Sequence, residues 1–435
     1  MSHSPAIIAP STERKFLKER KQDTVWMLSL YGTAIGAGTL FLPIDAGLNG
    51  IWPLIIMAIL AFPMTYFSHQ ALCRFVLSSS LSKNDITDVV DEHFGPFAGK
   101  LLTLLYFFAI YPILLMYSVA ITNTTQSFIT HQIGSVAPPR ALLALLLILA
   151  LMAIVRLGQQ IIIKSMSMLV YPFIAILTVL SIYLIPHWNS AVLHYDPSMS
   201  QMKGSHSMLM TLWLAIPVMV FSFNHSPIIS SFAVSQKQRF DGCADEKSSR
   251  TLKYSHIMMV FTVMLFVFSC VLSLSPHDLA LAKQQNISIL SYLANHFHTP
   301  IIAYVAPLVA FIAISKSFLG HYLGASEGLH GLLAKSMRAR GKHVSHKTLQ
   351  RFIELFILLT CWAVATINPN ILKMIETLGG PVIAMILFLM PMYAIAKVPA
   401  MKKYKCLQRD TFITIMGIIA ISAILYGIWG SMIGA

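Results

Sequence analysis

The sequence predicts an all-α integral membrane protein with eleven transmembrane helices, built as a five-plus-five inverted repeat with interrupted helices 1 and 6 and one extra helix. Of its 435 residues, 56% are apolar and 11% are charged, whereas roughly a quarter of the residues in a soluble domain are charged. The apolar residues fall in blocks of about 20, the length at which a helix crosses the hydrocarbon layer of a bilayer. Two blocks are interrupted by glycine or proline. Lipid is therefore the expected solvent.

Eleven apolar blocks are predicted to span the membrane. They cover 25–43, 51–72, 102–130, 141–157, 165–186, 208–234, 252–275, 301–327, 352–367, 371–396 and 411–432. We expect no removable signal peptide, because the first 22 residues lack a short apolar core that ends in a cleavage site. The predicted organisation is therefore a cytoplasmic tail, two five-helix repeats and an additional helix. Their ranges are 1–22, 25–186, 208–396 and 411–432.

The basic residues indicate the orientation of these spans. If alternate connections lie on opposite sides, 26 of the 31 Lys and Arg residues fall on one side. The other side holds Arg140, Lys203, Lys283 and Lys373, and Lys316 lies alone within a span. The positive-inside rule then places the N-terminus in the cytoplasm and the C-terminus in the periplasm. This topology explains the formal charge of +14 without a nucleic-acid partner.

The first span contains three glycines in seven residues, at Gly32, Gly36 and Gly38. Glycine lowers helix stability by about 1 kcal/mol relative to alanine and allows close approach to the backbone. The helix can therefore open here, although the same glycines would also suit a small-residue packing face.

The sixth span places Asn224, His225, Ser226 and Pro227 together near its middle. Such a cluster is costly in lipid unless it faces a cavity or a partner. Proline also removes one amide donor and displaces the carbonyl four residues earlier, at Phe223. This span is therefore predicted to unwind, which packing alone does not require.

The two interruptions lie in the first span of each predicted five-span unit, and five is odd, so the units enter from opposite faces. Interrupted helices at matching places in inverted halves indicate the binding site of a transporter. Amides near one helix start can hold a carboxylate, and freed carbonyls at the other break can hold an ammonium. The predicted substrate-binding residues are Thr33, Ala34, Gly36, Ala37, Gly38, Phe221, Ser222, Phe223, Asn224, His225 and Ser226.

Ionisable residues inside the eighth span are candidates for proton coupling. Lys316 lies about 15 Å from the cytoplasmic end at 1.5 Å per residue, too far to extend comfortably to water. His321 and Glu327 are weaker candidates, since the first could be hydrogen-bonded within the bundle and the second solvated. His69, His256 and Asp45 lie near span ends and are interpreted as boundary residues.

Neither a Walker loop, a paired metal-ligand motif nor a recognisable catalytic constellation is found in the sequence. We therefore expect a protein that is not an enzyme, with no cofactor and no metal. Uphill transport would take its energy from an ion gradient.

Several stretches resemble the hydroxy and aromatic amino acid permease family, most closely its bacterial serine permeases. They are LYGTAIGAG at 30–38, AILAFPMT at 58–65, LLYFFAIYP at 104–112, VFSFNHSPIISSF at 220–232, QNISILSYLANHF at 285–297, KSFLGHYLG at 316–324 and IETLGGP at 375–381. The resemblance covers nearly the whole chain. It implies an eleven-span, proton-coupled importer of L-serine in the bacterial inner membrane, with L-serine, protons and the lipid bilayer as partners.

Two alternatives remain open at the level of the sequence. The family also contains threonine and aromatic amino acid carriers, and its threonine carriers have an aromatic residue where this chain has His225, which favours serine. A sensor that binds an amino acid without transporting it would have the same broken helices. Uptake measurements separate these alternatives.

Overall fold

The computed structural model describes residues 10–194, 208–297, 299–341, 345–375 and 380–433. All regular structure in these ranges is helical, and they contain no strand. The α-helices are α1 Pro10–Ala34, α2 Ala37–Leu48, α3 Ile51–Leu77, α4 Ile86–His131, α5 Arg140–Arg156, α6 Gln159–Leu184, α7 Met208–Ser222, α8 Ser226–Phe240, α9 Ala244–Ser273, α10 Pro276–Gln284, α11 Ile289–His296, α12 Pro300–Ala339, α13 His346–Ile367, α14 Ile371–Met374, α15 Gly380–Ala384, α16 Met390–Lys397 and α17 Leu407–Ile433. A π-helical segment, Met385–Leu389, joins α15 to α16.

Six of these helices are long and apolar enough to cross a membrane, and two bent pairs raise the number to eight. The first pair, α1 and α2, bends by 49°, and the second pair, α7 and α8, bends by 45°. The all-helical, multi-pass membrane fold and both interruptions are thereby confirmed. The count of eleven spans and the division into inverted repeats stay predictions.

The differences from the predicted boundaries are largest at α1 and α4. Helix α1 begins at Pro10, inside the predicted tail, and the first nine residues of that tail lie outside the described part of the chain. Helix α4 is 46 residues long and joins the predicted span at 102–130 to a preceding helical segment, with a sharp turn at Gly95. Gly95 has φ of 80°, a conformation that favours glycine, and Pro96 follows it. Most of the stretch IETLGGP at 375–381 lies outside the described residues, which leave out 376–379.

Helix α12 runs through the middle of the molecule and packs on α1, α4, α6 and α8. Glycines on α12 permit the close contacts. A Cβ at Gly324 would lie 2.7 Å from Pro227 Cβ and 2.8 Å from the Pro227 carbonyl. Gly320 in turn packs against Thr33 of α1. The two interrupted pairs are thus held against one central helix.

Candidate functional site

The first break separates α1 from α2 at Ile35 and Gly36. The amides of the first turn of α2 have no acceptor within their own helix, and the helix dipole favours a negative group at this end. Gly36 is closely surrounded: an added Cβ would lie 2.5 Å from Ser317 Cβ and 2.8 Å from the Tyr117 ring. Only glycine therefore fits at this point in the observed conformation.

Two side chains of α12 hold the last carbonyls of α1. Lys316 Nζ donates to the Ile35 carbonyl at 2.6 Å and to the Gly32 carbonyl at 3.2 Å. Ser317 Oγ lies at 2.7 and 3.0 Å from the same two oxygens. These carbonyls form the negative end of the α1 dipole, where a cation is favoured. One ammonium and one hydroxyl therefore bind the backbone carbonyls at the first break.

The Lys316 side chain is fully buried. Its Nζ lies 4.2 Å from the centre of the Phe173 ring, and no carboxylate lies within 4.0 Å of it in the described ranges. A buried ammonium without a carboxylate is balanced here only by carbonyl dipoles and a ring face. The Lys316 side chain is thus enclosed by protein, and its depth in the membrane and its role in coupling stay predictions.

The second break comprises Phe223, Asn224 and His225, between α7 and α8. The Asn224 amide donates to the Phe221 carbonyl at 3.1 Å, and Asn224 Oδ1 accepts from the Ser226 amide at 3.1 Å. His225 Nδ1 lies 3.0 Å from the Phe223 carbonyl. The chain unwinds as predicted, and side chains satisfy part of the freed backbone.

The carbonyls that were expected to be free each accept one bond in this conformation. Phe221 accepts from the Asn224 amide, and Phe223 accepts from His225. The Ser222 carbonyl accepts from Thr39 Oγ1 at 3.0 Å. Since a carbonyl oxygen has two lone pairs, each retains one for a ligand.

The two breaks are also bonded directly to each other. Ser222 Oγ shares its hydrogen between the Gly38 carbonyl at 3.0 Å and the Val218 carbonyl of its own helix at 2.7 Å, and Thr39 Oγ1 donates back to the Ser222 carbonyl. A Cβ at Gly38 would lie 2.6 Å from the Phe221 ring. A movement at one break therefore changes the hydrogen bonds at the other.

Replacing Ser222 with Ala should loosen this connection. The variant loses the bond to Gly38, and a net hydrogen bond contributes about 1 kcal/mol. Ser181→Ala is the matched control, because Ser181 is buried and its hydroxyl bonds only to the Leu177 carbonyl of its own helix. We expect the apparent melting temperature of the detergent-solubilised protein to fall further for Ser222→Ala than for Ser181→Ala. Equal melting temperatures for the two variants would show that the bond between the breaks contributes nothing.

The remaining candidates separate into those at the breaks and those away from them. Thr33 is buried and bonds to the Ser29 carbonyl, Ala34 ends α1 and Ala37 begins α2. His321 bonds to the Ser317 carbonyl of its own helix at 2.9 Å. Glu327 lies apart from the breaks, beside Tyr106 of α4 and Ser230 of α8.

Sequence reasoning missed three residues that pack around the breaks, outside the proposed substrate-binding residues. Ser317 was not among the predicted residues, yet its side chain and that of Lys316 contact the same two carbonyls. The interpretation of His69 and His256 as boundary residues is wrong, because both are fully buried and pack against His225. Their positions in the sequence do not indicate burial. They are buried because α3 and α9 pack against the second break.

Two cavities lie away from the breaks. One, of about 620 Å³, lies among α4, α5 and α11 and is lined by polar residues such as Arg140 and Asn295. The other, of about 700 Å³, lies between α4 and α16. Their linings do not include the residues of either break, whose side chains are buried. Neither of these two cavities reaches the breaks in this conformation.

Comparison with known proteins identifies the family. Residues 23–428 match the model of the tryptophan/tyrosine permease family. The chain belongs to this family. It is 63% identical over 410 residues to a protein described as serine transporter SdaC from Escherichia coli K12, with 94% of this chain and 96% of that protein covered. It is 44% identical over 442 residues to threonine/serine transporter TdcC from Edwardsiella tarda, with 98% and 99% covered.

Solved structures of more distant transporters share the fold of this permease. MhsT in complex with L-phenylalanine aligns with a TM-score of 0.58 at 16% identity and covers 92% of this chain and 97% of its own. A manganese transporter mutant from Eremococcus coleocola aligns with a TM-score of 0.63 at 12% identity, over 98% of this chain and 89% of its own. At these identities the likeness shows the fold alone. The permease is thus a multi-pass amino acid transporter by family, and its substrate and coupling require their own argument.

Proposed function

We propose that the protein imports L-serine across the bacterial inner membrane by proton symport, with alternating access around the two breaks. The observation that carries the coupling is the pair of bonds from Lys316 Nζ to the last carbonyls of α1. The high identity to a serine transporter supports the choice of serine. The basic side of the predicted topology faces the cytoplasm.

The substrate is proposed to bind as a zwitterion between the breaks. Its carboxylate accepts from the amides that begin α2, at Ala37 and Gly38, where the helix dipole is favourable. Its ammonium uses the second lone pairs of the Phe221 and Phe223 carbonyls. The Asn224 Nδ2 group is buried and lacks a hydrogen-bond acceptor in the described part of the chain, so it is available for the serine hydroxyl.

Lys316 is proposed to link the proton to the opening of the site. A protonated lysine binds the Gly32 and Ile35 carbonyls and holds the end of α1 against α12. Loss of the proton turns two charge-assisted bonds, each contributing about 1.5–3 kcal/mol, into neutral ones that contribute about 0.5–1.5 kcal/mol each. The end of α1 is then free to tilt, and Ser317 retains the remaining contact.

Similar bends in the two interrupted pairs, 49° and 45°, support the proposal that 25–186 and 208–396 are inverted repeats. Helix α17, near the predicted additional span at 411–432, then lies outside the repeats. In such an arrangement the binding site lies where the repeats meet, near the middle of the membrane.

Uptake of labelled serine into vesicles tests the proposed function. We expect an imposed pH gradient, acidic outside, to drive accumulation, and unlabelled serine to compete more strongly than threonine, tryptophan or tyrosine. Serine accumulation that does not depend on the pH gradient would contradict proton symport. Binding without uptake would instead support a sensor.

A threonine carrier is the second candidate, because a relative described as a threonine/serine transporter is 44% identical over nearly the whole chain. Equal competition by threonine and serine in the same vesicles would favour this reading. Competition by tryptophan or tyrosine alone would favour an aromatic carrier.

A further inference from the structure

Three histidines, two from helices and one from the second break, pack against one another. His69 comes from α3, His225 precedes the first turn of α8, and His256 comes from α9; all three are buried, with exposures of 0%. The ring centres of His69 and His225 are 3.7 Å apart, and those of His225 and His256 are 4.7 Å apart. One ring nitrogen of each lies within 4.8 Å of one ring nitrogen of both others. We refer to these three residues as the histidine cluster.

Hydrogen bonds fix which ring nitrogens carry hydrogen. Each Nδ1 faces a main-chain carbonyl: Thr65 at 2.7 Å for His69, Phe223 at 3.0 Å for His225, and Leu252 at 2.7 Å for His256. A carbonyl can only accept, so each Nδ1 must donate. In a neutral imidazole the other nitrogen, Nε2, then holds a lone pair.

The three Nε2 lone pairs differ in their hydrogen-bond partners. His69 Nε2 accepts from the His225 amide at 3.2 Å, which keeps His69 in its neutral form. Within the described ranges, neither Nε2 of His225 nor Nε2 of His256 makes a well-formed hydrogen bond, and the Thr65 carbonyl near His256 can only accept, so it cannot satisfy a lone pair. A buried acceptor that lacks a donor costs about 1–3 kcal/mol. Two such acceptors in one cluster indicate a ligand that supplies a hydrogen or a positive charge.

The ring geometry favours a proton over a metal ion. The His69 and His225 rings are nearly parallel, at 4°, and an imidazole lone pair lies in the plane of its ring. Two parallel planes do not meet, so one ion cannot lie in both planes at about 2.0–2.1 Å from each nitrogen. The bond from the His225 amide also occupies His69 Nε2. A proton needs only one in-plane lone pair.

The charged and titratable neighbours of the cluster are few. Tyr66 of α3 packs edge-on against His256, with ring centres 5.7 Å apart, and His321 of α12 faces His225. A carboxylate does not pair with any of the three rings in the described residues. The cluster can therefore hold one positive charge, because two charged rings at this separation would repel strongly in a low dielectric.

A series of hydrogen bonds leads from Tyr66, whose ring packs against His256, to one end of the molecule. Gln70 Nε2 donates to Tyr66 Oη at 3.0 Å and to Ser249 Oγ at 2.8 Å. Ser249 Oγ lies 3.4 Å from Asp245 Oδ1, and the Asp245 side chain is 33% exposed and paired with Arg74 at 2.8 Å. This end carries the basic connections that the topology assigns to the cytoplasm.

We propose that the histidine cluster is a proton-binding site, in which one proton is held at Nε2 of His225 or His256 and leaves toward the cytoplasm between α3 and α9. The inference rests on the proposed proton symport. The proton comes from water with the substrate, adds to an imidazole lone pair and returns to water on the inner side, so that no bond other than N–H forms or breaks. The cluster and Lys316 act on the same coupled proton, which Lys316 binds at the end of α1 before it passes to an imidazole lone pair of the cluster.

The test replaces His256, which lies outside the substrate site, with Gln. Glutamine can still donate to the Leu252 carbonyl but cannot take up a proton. The matched control is His131→Gln, because His131 likewise bonds through Nδ1 to the carbonyl four residues earlier, at Ser127, but lies at the far end of α4. Purified variants in vesicles with an internal pH dye report protons and labelled serine together.

We expect His256→Gln to lower the number of protons moved per serine at least about fivefold, with serine exchange within about twofold of the wild type. His131→Gln should match the wild type in both. An unchanged proton-to-serine ratio in His256→Gln overturns the inference and leaves the symport intact. Absence of serine-driven proton movement in the wild type contradicts the symport itself.

A second measurement decides the inference independently of transport. Nitrogen NMR of the full-length protein with labelled histidine distinguishes neutral from protonated rings. Between about pH 5 and 8, the range in which histidine commonly titrates, one protonation seen in the wild type and in His131→Gln should disappear in His256→Gln. If His256→Gln shows every protonation that the wild type shows, the cluster does not bind the proton.

Discussion

Replacing Lys316 with Ala is expected to abolish proton-driven serine accumulation and to leave part of the exchange of internal for external serine. The ammonium is the only charged group that binds the Gly32 and Ile35 carbonyls in the described structure. Without it, the end of α1 has the same contacts whether a proton is present or absent. A proton that interacts equally with two conformations cannot shift the equilibrium between them. The pH gradient would therefore no longer drive the conformational change at the site.

The fold should survive this change. Ser317 Oγ still lies within hydrogen-bond distance of both carbonyls, so the end of α1 keeps one donor. Removing the lysine also removes a buried charge that lacks a carboxylate partner, and such charges are costly to bury. The lost packing against Phe173 is the main structural cost.

The measurement is labelled serine uptake into vesicles with and without an imposed pH gradient, together with exchange at equal pH. Lys164→Ala is the control, because Lys164 is exposed on α6 and lies outside both breaks. We expect Lys316→Ala to reach an inside-to-outside ratio of about one in the gradient, and Lys164→Ala to accumulate serine like the wild type. Full accumulation of serine by Lys316→Ala would show that Lys316 does not couple transport to the proton.

The two interrupted helices could be predicted because the cause of each break is local. Glycines at 36 and 38 weaken the first helix wherever it lies, and Pro227 removes a donor in any surrounding. The polar residues Asn224 and His225 then stand out within an apolar block. Lys316 was predictable for the same reason, since a charge in the middle of a span is rare unless it has a function.

The partners of these residues could not be predicted, because they depend on how the helices pack. Ser317 and the histidines at 69 and 256 have nothing unusual in their local sequence. Serine is common in membrane helices, and a histidine near the end of a span resembles one at the water boundary. Burial of His69 and His256 arises only when α3 and α9 close around the second break.

One helix connects the parts of the site. Consecutive residues of α12, Lys316 and Ser317, bind the end of α1, and Gly324 of the same helix touches Pro227 at the start of α8. Helices α2 and α7 are bonded to each other through Ser222 and Thr39. A rotation of either bent pair against α12 would therefore change both breaks together, as alternating access requires.

Replacing Gly36 with Val should block serine binding, because the position has no room for a side chain. The first carbon alone would lie 2.5 Å from Ser317 Cβ and 2.8 Å from the Tyr117 ring, closer than packed carbons approach. Overpacking of this kind costs about 1–3 kcal/mol. The start of α2 would have to shift away from α12, and its amides would leave the position where they receive the carboxylate.

A shift of that size should weaken serine binding at least about tenfold, which corresponds to about 1.4 kcal/mol. Binding of labelled serine to the purified protein measures it, with elution from a sizing column as the check on folding. Gly242→Val is the matched control, because a Cβ at Gly242 has no neighbour within 4 Å, and it should bind like the wild type. Gly36→Ala should fall between the two, since it adds the clashing carbon without the second branch. Wild-type affinity in Gly36→Val would mean that the carboxylate is held elsewhere, because amides displaced from the first break cannot bind it unchanged.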